Sequence, residues 1–454
     1  MKKKTALLAF LFITALSFGQ EYSVKGQIEG LSDEKIYIAS FRGDMSRIID
    51  SVSTDALGNF FLETTPNYKP GVYRLVFGRD QFLDLIINNE NIRFKTNLES
   101  PPGNIQVSSS VENILFYDYL KKRNENQLKL ELLNPIIGQY PRNDGFYPLA
   151  EAHYEILQNE FLNYTNMIIE KNEGLLVSDF IRFDRPLMID LEVPIEKQEE
   201  YLRKHYFDGL VFDKPILLNL NILPGKIIGY LTLYRDPGIA KVLQEELFRQ
   251  AVDSILLHMM DNEDIYHFTL KYLIDGFQQF GFDNLVDHIG KTYSVVETCV
   301  NEERKSELEK RMENIKKLAV GNIAPDISLK GQPTSLSGLS ADYKLVLFWA
   351  SWCPHCKSII PGLKDVYQEF PRDFLEIVSV SVDSSQTSYE KTLQELQIPW
   401  KHEADFMGWN TQAAADYSIY ATPMMFLTDR KMKILYKPSG PAELRLKLLE
   451  LKGK

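Results

Sequence analysis

One stretch constrains this chain more than any other: Leu345-Val346-Leu347-Phe348-Trp349-Ala350-Ser351-Trp352-Cys353-Pro354-His355-Cys356-Lys357. A run apolar enough for a buried strand ends at two cysteines two residues apart, and Ile359, Leu363, Val366 and Phe370 then recur at helical spacing. Cys353 therefore falls at a helix N-terminus, where unpaired backbone N–H groups and the helix dipole favour a thiolate. Cys356 falls about one turn further in, placed to attack a mixed disulfide formed through Cys353. These are the parts that thiol–disulfide exchange requires. Pro354 suits the first helical turn, where its missing N–H leaves no bond unmade. His355, when protonated, adds positive charge beside the thiolate; such surroundings lower a thiol pKa from about 8.5 into the range of roughly 3.5–7.

From residue 319 the pattern alternates. A hairpin is followed by a strand over Leu345–Trp349, a helix over Cys353–Phe370, a strand over Leu375–Val382 and a helix over Ser388–Gln397. Met425–Leu427 and Lys433–Tyr436 read as a closing hairpin and Ala442–Leu451 as a last helix, which predicts an α/β sandwich with a βαβ core. Around the active helix, Trp352, Cys353, Cys356, Lys357 and Pro361 resemble the residues of the thioredoxin superfamily. So do Gly321-Asn322-Ile323-Ala324-Pro325-Asp326 with Thr334-Ser335-Leu336-Ser337-Gly338-Leu339, and Thr422-Pro423 before Met424-Met425-Phe426-Leu427. Over 319–454 the chain resembles the exported thioredoxin-like disulfide reductases of the TlpA and ResA type. The resemblance implies a cis Pro423, a Thr422 backbone that pairs with a substrate strand, and a Trp352 that lines the substrate surface. It implies protein thiols and disulfides as substrates, a membrane or periplasmic electron donor, and no cofactor beyond the Cys353–Cys356 disulfide. One departure stands out: Leu347 occupies the place of the buried aspartate of classical thioredoxins. Asp383, at the end of the next strand, is the candidate replacement for tuning the pair; a turn or helix-capping role is the alternative. The Pro354-His355 dipeptide resembles that of DsbA-type oxidants, whereas the surrounding frame resembles the reductases. Reduction is the leading reading and oxidation the alternative.

The remainder reads as accessory. Lys2-Lys3-Lys4 followed by the 13 apolar residues Ala6 to Phe18 reads as an export signal over 1–20, too short for a membrane span of about 20 residues. The mature chain is expected in the periplasm with no spanning segment. Only three cysteines are present, so a structural disulfide framework is excluded, and Cys299 reads as a small buried apolar residue. The net charge of −11 without a basic patch argues against nucleic acid as a partner. Residues 21–110 alternate as short strands (Tyr22, Val24, Ile28; Ile36, Ile38; Ile92, Phe94, Thr96), which predicts an antiparallel β-sandwich. Around Asp55-Ala56-Leu57-Gly58-Asn59-Phe60 this segment resembles a β domain found ahead of exported thioredoxin-like domains in Bacteroidetes. Residues 111–318 read as an all-α domain. In it Tyr206, Phe207 and Phe212 read as core, and His153, His205, His258, His267 and His288 show no metal spacing. Asn301–Val320 reads as a charged connector helix with Glu307–Arg311 and Glu313–Lys317 pairs. The whole is thus a multidomain chain ending in an α/β thioredoxin-like domain.

Three other functions compete. A thiol peroxidase needs a proline and a hydroxyl residue in a Pro-x-x-x-Thr/Ser-x-x-Cys array, but Phe348 and Trp349 stand in that region and no proline lies between Pro333 and Cys353. Cys353, His355 and Cys356 offer a soft metal only two thiolates and one imidazole, so no metal site is assigned. An envelope binding protein with a redox-regulated C-terminal domain is the third. Trp349 is expected in the core or beside the site, and Trp400 and Trp409 as packing residues.

Overall fold

The computed structural model describes residues 22–65, 68–78, 81–293, 310, 313–330 and 334–453. The expected export signal, Cys299 and connector residues 301–309, 311 and 312, with the expected Glu307–Arg311 pair, lie outside these. The described part of the connector includes the Glu313–Lys317 ion pair at 3.0 Å.

Eight strands come first: β1 (Tyr22–Glu29), β2 (Lys35–Arg42), β3 (Met45–Ser53), β4 (Asn59–Thr64), β5 (Gly71–Phe77), β6 (Gln81–Ile87), β7 (Ile92–Asn97) and β8 (Gln106–Ser109). They form two four-stranded sheets, ordered β4-β1-β7-β8 and β3-β2-β5-β6. Because side chains alternate between faces, Val24 and Ile28, Ile36 and Ile38, Leu83 and Leu85, and Ile92 and Phe94 all turn into one shared core. The expected antiparallel sandwich needs one correction: β1 and β7 pair in parallel, Val24 opposite Ile92. Parallel neighbours need a long crossover, and the whole second sheet, β2 with β3, β5 and β6, lies between them in sequence. The Asp55–Asn59 turn joins β3 to β4. The Asp55 carboxylate accepts from the Leu57 and Asn59 backbone N–H groups at 2.9 and 2.8 Å, and Gly58 takes φ +78° where a Cβ would meet the Ile28 carbonyl oxygen.

Helices follow: α1 (Val111–Gln139), α2 (Tyr147–Lys171), α3 (Leu176–Asp184), α4 (Gln198–His205), α5 (Leu223–Thr232), α6 (Lys241–Met259), α7 (Glu263–Gln279) and α8 (Asp283–Tyr293). Ser110 caps α1, its hydroxyl accepting the Asn113 N–H at 2.9 Å. Phe207 and Phe212 are buried and pack edge to face. The chain forms two compact units, the first ending at Gly229 and the second beginning at Tyr230, inside α5. Among the described residues no helix is long and apolar enough to cross a membrane.

The second unit holds α6 to α8 and a five-stranded sheet. Its elements are β9 (Tyr343–Trp349), α9 (Pro354–Glu369), β10 (Leu375–Ser381), α10 (Gln386–Leu396), β11 (Lys401–Glu403), α11 (Gln412–Asp416), β12 (Met424–Asp429), β13 (Ile434–Tyr436) and α12 (Pro441–Lys452). The sheet order is β11-β10-β9-β12-β13. β9, β10 and β11 run parallel, while β12 runs antiparallel to both β9 and β13. β9 lies at the centre and is buried on both faces, which explains why Leu345–Trp349 is continuously apolar rather than alternating. This is the thioredoxin-like α/β arrangement, with the β9–α9–β10 crossover at its heart.

Candidate active site

β9 delivers the chain to the C-terminal edge of the sheet, and a short turn there starts α9. The Cys353 N–H donates to the Ala350 carbonyl at 3.2 Å, and the Lys357 N–H donates to the Cys353 carbonyl at 3.2 Å. Cys353 is the N-cap of α9, extended at φ −86° and ψ 109°, with Pro354 as the first helical residue. Its Sγ receives the Cys356 backbone N–H at 3.1 Å, so one of the unpaired donors of the helix start points at this sulfur. Cys353 and Cys356 are joined as a disulfide, their Cα atoms 5.3 Å apart. Cys353 is 6% exposed and Cys356 is fully buried, so an incoming thiol reaches only the first sulfur.

The Thr422–Pro423 peptide is cis, and the Thr422 carbonyl oxygen lies 3.5 Å from Cys353 Sγ. Helix α7 reaches the same loop: Gln278 Nε2 donates to the Ser418 carbonyl at 3.3 Å and Gln279 Nε2 to the Pro423 carbonyl at 3.5 Å.

Asp383 is buried at the end of β10. Its carboxylate accepts from the Ser351 N–H at 2.9 Å, the Ser351 hydroxyl at 2.6 Å and the Ser381 hydroxyl at 2.7 Å. Among the described residues it bonds neither cysteine; it reaches the active turn through Ser351. Its backbone carbonyl accepts the Gly408 N–H at 3.4 Å, which starts the Gly408–Asn410 turn.

The two turns that Asp383 ties down each carry an exposed tryptophan. Trp352 is 54% and Trp409 42% exposed, and their rings meet edge to face with centroids 5.9 Å apart. Trp409, expected as a packing residue, packs against Trp352 at the surface and not in the core. It sits on an irregular turn after the left-handed Gly408 (φ +62°), where no periodicity marks a face. Trp349 and Trp400 are buried, as expected of core residues. Ser351 and Trp409 are the site residues that sequence reasoning missed. Ser351 is legible afterwards as the hydroxyl facing a buried carboxylate, whereas no local signal marks Trp409. His355 is exposed on the first turn of α9, and its ring has no hydrogen-bonding partner among the described residues. Among the described residues no group of three or more His, Cys, Asp or Glu side chains is arranged to hold a metal.

Residues 320–437 match the model described as AhpC/TSA family, and residues 22–116 match a domain of unknown function, DUF4369. Among curated proteins, the thiol-disulfide oxidoreductase ResA of Oceanobacillus iheyensis is 36% identical over 93 residues, 18% of this chain and 48% of that protein. Sporulation thiol-disulfide oxidoreductase A of Bacillus subtilis is 29% identical over 26% of this chain and 66% of that protein. The chain thus spans about half the length of the first of these relatives (48%). Among solved structures, the thioredoxin domain of a thiol-disulfide oxidoreductase from Bacteroides vulgatus is 27% identical, covering 29% of this chain and 97% of that one at a TM-score of 0.27. A thioredoxin-like protein from Bacteroides caccae is 20% identical, covering 58% of this chain and 97% of that one at a TM-score of 0.36.

Proposed function

We propose, from a C-terminal domain that matches the AhpC/TSA family over residues 320–437, that this protein is a thiol–disulfide oxidoreductase acting on protein substrates. The observation that carries the reading is the disulfide at the start of α9, with Cys353 at the N-cap and Cys356 sealed behind it. In the reducing direction the Cys353 thiolate attacks a substrate disulfide, forms a mixed disulfide and releases one substrate thiolate. The Cys356 thiolate then attacks Cys353 Sγ, closes the internal disulfide and releases the second thiolate. Two electrons pass from the pair to the substrate, and a thiol donor outside the chain must restore them. Pro354 starts the helix, and Thr422 with Pro423 offers backbone beside the reacting sulfur. Trp352 supplies apolar contact area, and Asp383 acts as a positioning residue through Ser351.

The reductase direction is favoured by His355 standing in solvent, where an imidazolium is screened and contributes little to a stabilised thiolate. An extracytoplasmic, periplasmic setting is favoured by the basic and apolar pattern of residues 1–20. We assign the chemistry to residues 319–454 and an accessory role to the β-rich and helical segments before them.

Trapping tests the exchange mechanism. In an exporting host, Cys356→Ser is expected to accumulate mixed disulfides with client proteins through Cys353, and Cys353→Ser is not. Equal trapping by both variants, or by neither, overturns the mechanism. Equilibration with glutathione tests the direction: a potential below about −220 mV is expected of a reductase, and one near about −120 mV marks an oxidant.

A further inference from the structure

We infer that a cavity in the first compact unit, between strands β5 and β6 and helices α1, α3 and α5, binds a small organic anion: one carboxylate on an apolar body. The cavity has a volume of about 630 Å³, within the range of roughly 300–1,000 Å³ that small-molecule sites occupy. Its apolar walls include Val72, Phe116, Phe180, Leu187 and Ile222. Its charged walls are cationic in surplus. Asp84 is neutralised by Arg74 at 2.7 Å and Asp184 by Arg123 at 2.5 Å. Lys226 and Arg185 also line the cavity and have no carboxylate in ion-pair contact among the described residues. The Lys226 ammonium rests on the Arg185 carbonyl at 3.3 Å and over the Tyr206 ring at 5.1 Å, and Arg185 donates to the Asn166 side-chain oxygen at 2.6 Å. Two half-buried cations in one apolar cavity, in a chain of net charge −11, are an unbalanced cost unless an anion completes them.

The charge count limits the ligand. Burial lowers Lys226 to about 8, with Arg185 adding to the fall and Asp184 opposing it. A single carboxylate placed between Lys226 and Arg185 restores the ammonium without the heavier desolvation of a phosphate dianion. The aromatic and aliphatic walls then cover the rest of the ligand. The free amine loses its proton as pH rises past about 8, so affinity should fall over the same interval. This site is independent of the disulfide and of the reading given above for it.

Titration calorimetry of the full chain with sodium octanoate tests the inference. Octanoate should bind saturably, and octanamide and inorganic phosphate should each bind at least about tenfold more weakly. Lys226→Met should lose about tenfold in octanoate affinity, and Lys226→Arg should keep it. No saturable octanoate binding below about 10 mM overturns the site. So does equal binding of octanoate and octanamide, or undiminished binding by a folded Lys226→Met. Should that variant fail to fold by circular dichroism, acetylation mapping of the wild type reads the same contact. Octanoate should then protect Lys226 and leave exposed lysines such as Lys204 unchanged; absence of protection overturns the site.

Discussion

Cys353 and Cys356 differ by one helical turn, yet their positions give them different chemistry. The N-cap sulfur has a backbone N–H aimed at it and an opening to solvent, while the second is enclosed by the core. His355, between them, faces water. A charge there acts on the Cys353 thiolate, which exists only in the reduced state, so removing it destabilises only the reduced pair. His355→Ala is therefore expected to make the pair more reducing, but by less than about 30 mV, the equivalent of about 1.4 kcal/mol, because solvent screens an exposed imidazole. Glutathione equilibration of wild type and variant measures this. A higher potential in the variant contradicts the sign of the argument.

Strand–turn–helix elements were readable from the chain because their periodicities are local. β9 is a continuous apolar run, α9 repeats its apolar residues at helical spacing, and the small sheets alternate. What was not readable depends on contacts distant in sequence. The parallel pairing of β1 with β7 is set by how the intervening sheet folds back, not by either strand. The three-residue β11 is too short to carry a pattern. The turn that lifts Trp409 is fixed by the Asp383 carbonyl 25 or so positions earlier, a spacing with no periodic signature. Asp383 is the candidate for tuning the cysteine pair, and the hydrogen bonds found for its carboxylate are to Ser351 and Ser381. Asp383→Ala leaves the Ser351 N–H and two hydroxyls without their buried acceptor. The expected cost is about 3 kcal/mol, together with a loosened active turn. Urea unfolding followed through the buried Trp349 and Trp400 measures the first, and slower mixed-disulfide trapping in a Cys356→Ser background measures the second. A variant as stable as wild type would remove Asp383 from this role.

Across the whole molecule, the unit boundary inside α5 places helices α6 to α8 with the redox sheet. A buried polar tie between them is Lys437, beyond the end of β13, which meets both Asp283 carboxylate oxygens at 2.8 and 2.9 Å. Asp283→Ala leaves this ammonium buried without a partner. A loss of about 2 kcal/mol is expected, less than the roughly 3–5 kcal/mol of a fully enclosed pair because Asp283 itself is partly exposed. Thermal unfolding monitored by the core tryptophans should show it, and an unchanged midpoint would mean that the helices and sheet are coupled mainly by apolar packing. The edge-to-face pair at the mouth of the site has a consequence of another kind. A disulfide is an efficient quencher of nearby indole emission and a dithiol a weaker one, and Trp352 is bonded directly to the residue that changes state. The molecule therefore carries its own optical gauge. Emission should brighten on reduction, the change should vanish in Trp352→Phe and survive in Trp400→Phe, and turnover can be followed in real time without a label.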